Sequence, residues 1–123
     1  AFVSNEEAES IKLFRNCFLA TKVSFCNEFY RFCEKMDVNY ENVRALATLD
    51  DRIGDSHTTV PGHDGHYGFG GTCFPKDMNN LSYQLKVNNV DSFLINGALK
   101  RNTTIDRPEQ DWNLDNGRAV VKN

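Results

Sequence analysis

Between positions 68 and 77 the chain reads Gly-Phe-Gly-Gly-Thr-Cys-Phe-Pro-Lys-Asp, so a thiol, an ammonium and a carboxylate follow a glycine-rich turn. Glycines let backbone approach a ligand with no side chain in the way. Cys73 comes directly after that turn, and Pro75 suits the first turn of a helix starting there. A helix N-terminus carries partial positive charge and Lys76 adds a full one; both favour thiolate over thiol. Asp77 is four residues beyond Cys73, one helical turn away, where a carboxylate can hold a proton or orient water. These residues alone leave two readings of Cys73 open: a reacting thiol, or a buried structural cysteine behind a packing turn. Lys12 and Asn16 are also four apart. A cation beside an amide donor stabilises an oxyanion if both point into a closed site. The same spacing equally fits two solvated surface residues.

Other chemistries fit less well. Gly68-x-Gly70-Gly71 is no dinucleotide fingerprint, because no hydrophobic strand precedes it. His57, His63, Asp64, His66 and Cys73 lack the paired spacing of structural zinc sites, so no metal is expected. A Cys-His hydrolase that pairs Cys73 with one of these histidines is a separate alternative. Cys17, Cys26 and Cys33 read as structural, the last two being seven apart on one helix face. With 14 Lys and Arg against 17 Asp and Glu the net charge is −3, which argues against nucleic acid as a partner. No run approaches the ~20 apolar residues of a membrane span. No basic-then-apolar leader opens these residues, and the cysteines lack disulfide-scaffold density, so a cytoplasmic, reduced protein is expected.

The elements that must position these groups read as helices. Ser4-Asn5-Glu6-Glu7 has capping-box form, and from there to about Lys35 there is neither Gly nor Pro. Ile11, Phe14, Phe18, Phe25, Phe29 and Phe32 make one apolar stripe; Leu19, Val23, Cys26, Tyr30 and Cys33 make a second beside it. Two stripes predict a spine covered on more than one side, part of it by a partner. Leu19, Val23, Phe29 or Tyr30 are the residues expected to be left for that partner. Asp37 and Asn39 offer caps for a short helix carrying Val43, Leu46 and Leu49, with Gly54 to close it. From Asp55 to Thr72, glycines, Pro61 and the three histidines predict a long functional loop. A third helix carries Met78, Leu81 and Leu85, and a fourth is capped by Asp91 and runs to about Ile105. No strand pattern appears, so the fold class is all-α. The expected division is a helical domain over 1–106 and a tail over 107–123.

The motifs together resemble one family. The run 68–77 resembles the catalytic-cysteine motif of the UDP-glucose/GDP-mannose dehydrogenases. Ala8-Glu-Ser-Ile-Lys-Leu-Phe-Arg-Asn-Cys-Phe-Leu-Ala20 resembles that family's central-helix motif, and Asn27-Glu28 and Asp51-Arg-Ile-Gly54 resemble two more of its elements. All four stand in the family's order, from about Glu7 to Asn102. The resemblance implies NAD-dependent oxidation of a nucleotide sugar's C6 alcohol to a carboxylate. Cys73 would be the nucleophile, passing through a thiohemiacetal and a thioester. Lys12 and Asn16 would bind substrate and steady oxyanions, while Asp77 would assist proton transfer. Phe69 and Gly70 would line the substrate pocket, Lys76 would contact NAD, and Arg52 would reach the site of the neighbouring subunit. A homodimer through the long helix is implied as well. The Cys-Phe-Pro-Lys-Asp run favours UDP-glucose over GDP-mannose; a non-catalytic helical dimerisation module is the alternative of another class. The family's Rossmann domain, with its Thr and Glu partners, and its C-terminal nucleotide-binding domain are not in these 123 residues. Arg118-Ala-Val-Val121 resembles the ending of short members, and the 57–67 stretch makes the loop longer than in some relatives. A central domain with a tail is therefore expected, unable to turn over substrate alone.

Overall fold

Ser4 opens the first helix as its spacing predicts. Its Oγ accepts from the Glu7 amide and its own amide donates to the Glu7 carboxylate, a complete capping box. The computed structural model describes residues 3–113, and α1 runs through Asn5–Met36. Thirty-two helical residues make a rod of about 48 Å. Asp37 ends it in the left-handed region (φ 57°), its amide turned back onto the Cys33 and Glu34 carbonyls. Asn39 then caps α2, Tyr40–Ala47, by accepting from the Asn42 amide. This helix is shorter than expected. Thr48 sends its hydroxyl back to the Arg44 carbonyl, Leu49 falls outside the helix, and Gly54 closes the following turn instead, its amide on Asp50.

α3 spans Cys73–Val87, so the helix begins two residues ahead of Pro75 and Cys73 is its first residue. α4 covers Phe93–Arg101 and widens without a break into a π-helical turn, Asn102–Asp106. Ser92 precedes α4 where Asp91 was expected; its Oγ accepts from the Asn96 amide group one turn later. Among the described residues there is no strand, and the fold is all-α as the patterning predicts.

α1 and α3 lie side by side and antiparallel: Asn16 meets Asp77, while Asn27 meets Gly68 ahead of α3. α4 packs on both. The core between them is Cys17, Ala20, Phe69, Met78 and Ala98, edged by Leu13, Val23, Phe74, Leu81, Ile95 and Leu99. A second cluster joins Cys26, Cys33 and Tyr40. The Tyr40 hydroxyl donates to the Thr58 carbonyl, which pins the start of the long loop to α2.

The buried stripe of α1 differs from the expected one. Cys17, Ala20, Ser24 and Asn27 face inward, all small or short. Leu19, Val23, Phe29 and Tyr30 are half-buried at the flanks, and the phenylalanine face is the one left open, with Phe14 71% and Phe25 65% exposed. Small side chains let α3 and α4 come close to the α1 backbone, and that closeness leaves no room for rings. Past Asp106 the chain stays packed, with Arg107 and Trp112 buried. The rest of the expected tail, including 118–121, lies outside the described residues.

This packing sets a contrast within α3. Met78 is fully buried and Tyr83 is exposed. Met78→Ala is expected to cost about 2–5 kcal/mol in urea unfolding, and Tyr83→Ser less than about 0.5 kcal/mol.

Candidate functional site

The close approach of α1 and α3 joins one residue from each of two sequence-predicted pairs, Asn16 and Asp77. On α3, Cys73 and Asp77 are one turn apart; on α1, Lys12 and Asn16 are one turn apart. Asn16 Nδ2 donates to Asp77 Oδ2 at 2.6 Å, joining the pairs. Asp77 is buried, Asn16 half-buried, and Cys73 and Lys12 are exposed. Lys12, Leu13, Asp77 and Asn80 line a groove of about 510 Å³ that opens along the seam toward Glu6 and Glu9. The exposed Lys76 ammonium lies 4.0 Å from Asp77 Oδ1. The seam thus holds a fixed carboxylate, an amide with a second hydrogen still to donate, and the Lys12 cation, while the exposed Cys73 lies one turn of α3 from Asp77, outside the groove lining.

The cysteines divide cleanly. Cys17, Cys26 and Cys33 are buried and Cys73 is exposed. Burial, reinforced by the nearby Asp77 carboxylate, pushes the Cys17 thiol up to about 11. Burial likewise raises Cys26, outweighing a hydrogen bond with Tyr40 and the fields of Lys22 and Arg44. The structural reading of these thiols fits their surroundings.

The turn that delivers Cys73 is held from beneath by side chains that sequence reasoning missed. Asn102, only 1% exposed, accepts from the Phe69 amide at 2.8 Å and donates to the Phe69 carbonyl at 2.9 Å, as a neighbouring strand would. Asn27 Oδ1 accepts from the Gly68 amide at 3.0 Å. Gly68 has φ +67°, and a Cβ there would stand 2.2 Å from Asn102 Oδ1. A signal for Asn102 did exist: it falls four residues after Ala98, continuing the buried side of α4 with a polar residue. A polar residue in such a place implies partners.

Two expected pocket residues are placed differently. The Phe69 ring sits in the core against Met78 and Ala98, not on a groove wall. Gly70 is faced by the Arg107 guanidinium, so its lack of a side chain is needed within the chain itself. Arg52 stands apart from the seam. It is exposed and grips Asp50, on a turn that Lys22 ties to α1 through the Ile53 carbonyl, beside the open aromatic face. His57 packs its ring on Phe74 at 5.7 Å, and its one hydrogen bond is to Ser56. Among the described residues no histidine is hydrogen-bonded to Cys73, and no three His, Cys, Asp or Glu side chains gather as metal ligands. No helix among them is long and apolar enough to cross a membrane.

The family model described as "UDP-glucose/GDP-mannose dehydrogenase family, central domain" matches residues 6–104. The chain is similar to the UDP-glucose 6-dehydrogenase of Rickettsia bellii, 39% identical over 95 residues, which is 77% of this chain and 21% of that protein. It is 38% identical to the Pseudomonas aeruginosa UDP-glucose 6-dehydrogenase over 100 residues, 81% of this chain and 21% of that one. The Campylobacter jejuni UDP-glucose 6-dehydrogenase is 33% identical over 101 residues, 82% and 24%. The chain spans about a fifth of the length of these relatives.

The cysteine environments fix two expected outcomes. Iodoacetamide on the folded chain at pH 8 adds one group, on Cys73, by peptide mass mapping. Cys17 holds its proton to about 11 when folded and releases it from its ordinary 9.0 when unfolded. Its stabilising contribution is therefore full below pH 9 and falls as pH rises toward 11. Denaturation midpoints are expected to drop across that window, and less steeply in Cys17→Ala.

Proposed function

The chain belongs to the UDP-glucose/GDP-mannose dehydrogenase family, and we propose that it is the central, substrate-binding part of an NAD-dependent UDP-glucose 6-dehydrogenase. The observation that carries this reading is the Asn16–Asp77 hydrogen bond, which joins the helix of Lys12 to the helix that begins with the exposed Cys73. The similar UDP-glucose enzymes named above favour UDP-glucose over GDP-mannose.

The chain's own residues account for the covalent half of the chemistry. Once the C6 alcohol has become an aldehyde, the Cys73 sulfur adds to its carbonyl carbon and the oxygen becomes an oxyanion. Lys12 Nζ and the spare Asn16 amide hydrogen offset that charge until the proton given up by the Cys73 thiol reaches the oxygen, which gives a thiohemiacetal. After the second oxidation a thioester joins C6 to Cys73. Water attacks it, Asp77 takes the water's proton, the C–S bond breaks and the thiol is restored as the acid leaves. Bound NAD supplies the acceptor for the hydride lost at each oxidation. An exposed ammonium in the first turn of α3 suits Lys76 for contact with that anionic cofactor, whose main binding fold would lie outside these residues. The 123-residue chain alone is expected to produce no NADH from UDP-glucose.

The open aromatic face favours a homodimer. Ile11, Phe14, Phe18, Phe25 and Phe32 are all exposed along one side of α1. Burying that side against a second copy is the simplest way to cover it. Arg52 borders this face, where its guanidinium can reach across to a partner's substrate. The enzyme is expected in the cytoplasm, where four unpaired cysteines stay reduced.

Activity of the full-length enzyme tests both parts. Cys73→Ser is expected to lower acid formation at least about a thousandfold, since a hydroxyl is a far weaker nucleophile at neutral pH. Unchanged conversion would make Cys73 structural. Mixing inactive Arg52→Ala and Cys73→Ser subunits is expected to restore activity, because each mixed dimer then holds one site free of both lesions. No recovery after verified subunit exchange would place Arg52 outside the partner's site.

A further inference from the structure

No side-chain cap fixes the start of α3. Thr72 makes no side-chain cap, no acidic residue stands in the first turn, and Gly71 precedes it at φ +76°. Cys73 is therefore presented in whatever direction the 68–72 turn imposes, and that turn rests on a buried cation.

Arg107 is 2% exposed, just beyond the residues that the family model matches. Its Nε and Nη2 donate to the two carboxylate oxygens of Asp111, at 2.6 and 2.9 Å, in the planar fork that guanidinium favours. Its Nη1 donates to Asp64 Oδ2 at 2.9 Å, inside the long loop. The other Asp64 oxygen accepts from the His66 amide, and the Gly62 amide closes the same turn on the His66 carbonyl. The guanidinium plate lies against Gly70: a Cβ there would fall 2.3–2.7 Å from three of its atoms. A single cation so ties three segments together, namely the 62–66 turn, Gly70, and the stretch 107–111. Trp112, buried directly after Asp111, anchors the last of them. A buried guanidinium needs its carboxylates, so the arms hold or release together.

We propose that Arg107 is a positioning residue, a latch that fixes the Gly68–Thr72 turn and thereby the direction in which Cys73 is presented. Its role toward Cys73 rests on the reading of Cys73 as the reacting thiol; the latch itself does not. Asn102 holds Phe69 by two hydrogen bonds, and the Arg107 guanidinium lies against the next residue, Gly70. Lysine cannot replace it, since one ammonium cannot grip Asp111 with a fork, reach Asp64 and lie flat on Gly70 at once.

Amide exchange and Cys73 alkylation on the whole chain test this. Arg107→Lys is expected to speed exchange at the hydrogen-bonded Gly68 and Phe69 amides by about tenfold or more while the centre of α1 keeps its protection. The alkylation rate of Cys73 should change by about threefold or more as the thiol leaves its place at the helix start. Gly70→Ala should reproduce these changes, because its methyl and the guanidinium cannot share the space. In the Arg107→Ala background, Gly70→Ala should add nothing, a non-additivity that marks direct coupling. Should Arg107→Ala fail to fold, Asp64→Asn removes one arm and should give the same changes at smaller size. Unchanged exchange in folded Arg107→Lys, or additive effects of the two substitutions, would overturn the latch. Faster exchange with an unaltered alkylation rate would overturn its role in presenting Cys73. Full activity of Cys73→Ser, by contrast, would overturn the enzymatic reading and leave the exchange result standing.

Discussion

The closeness of α1 to α3 is the constraint on which everything else depends. Cys17, Ala20, Ser24 and Asn27 form a stripe of small side chains along α1, and only such a stripe lets two helix backbones come near enough to share short polar groups. An asparagine and an aspartate have little reach. The 2.6 Å bond between Asn16 and Asp77 exists because the helices are close, and it then sets their register. From that register follows the placement of the candidate groups: Lys12, one turn before Asn16, and Cys73, one turn before Asp77, are exposed on opposite sides of the bond because the helices run antiparallel. A large residue at Ala20 would separate the helices and undo the constellation without touching any of its members.

The second requirement is the shape of the turn before α3. Asn27, Asn102 and Arg107 are all buried and hydrogen-bonded: Asn27 to Gly68 and to Val23 of its own helix, Asn102 to Phe69, and Arg107 to Asp64 and Asp111. Buried polar groups are costly unless satisfied, and a satisfied set selects one backbone shape over its neighbours. Here they select a turn that passes directly over Asn102 and Arg107, which explains why residues 68 and 70 are glycine. Sequence reasoning assigns those glycines to the approach of a ligand. In the folded chain they admit partners from its own C-terminal part.

Much of this could be read before folding. The capping box at Ser4, the Asn39 cap and the glycine-rich run ahead of α3 are local signals, each depending on residues a few positions apart, whereas Asp37, expected to cap α2, ends α1 instead. Lys12 and Asn16 were legible through resemblance, not through spacing, since a Lys and an Asn one turn apart look like ordinary surface. What escaped was non-local. Hydrophobic periodicity marks phenylalanines strongly and small residues weakly, so it pointed to the open face of α1 more clearly than to the buried one. The end of α2 was set by the Thr48 hydroxyl returning to the Arg44 carbonyl, against the apolar pull of Leu49. Asn102 and Arg107 lie more than thirty residues from the turn they hold, and no window along the chain joins them.

The central claim is that Cys73 bonds to the substrate carbon while Asp77 prepares water to release it. It is tested most directly by acid-quenching the full-length Asp77→Asn enzyme during turnover of UDP-glucose with NAD and digesting it for mass spectrometry. Slowed hydrolysis should leave the peptide containing Cys73 heavier by the acyl group of the oxidised nucleotide sugar, and the adduct should vanish with hydroxylamine. Acid product accumulating while Cys73 stays unmodified at every quench time, or an adduct on Cys17, Cys26 or Cys33 instead, would contradict the account.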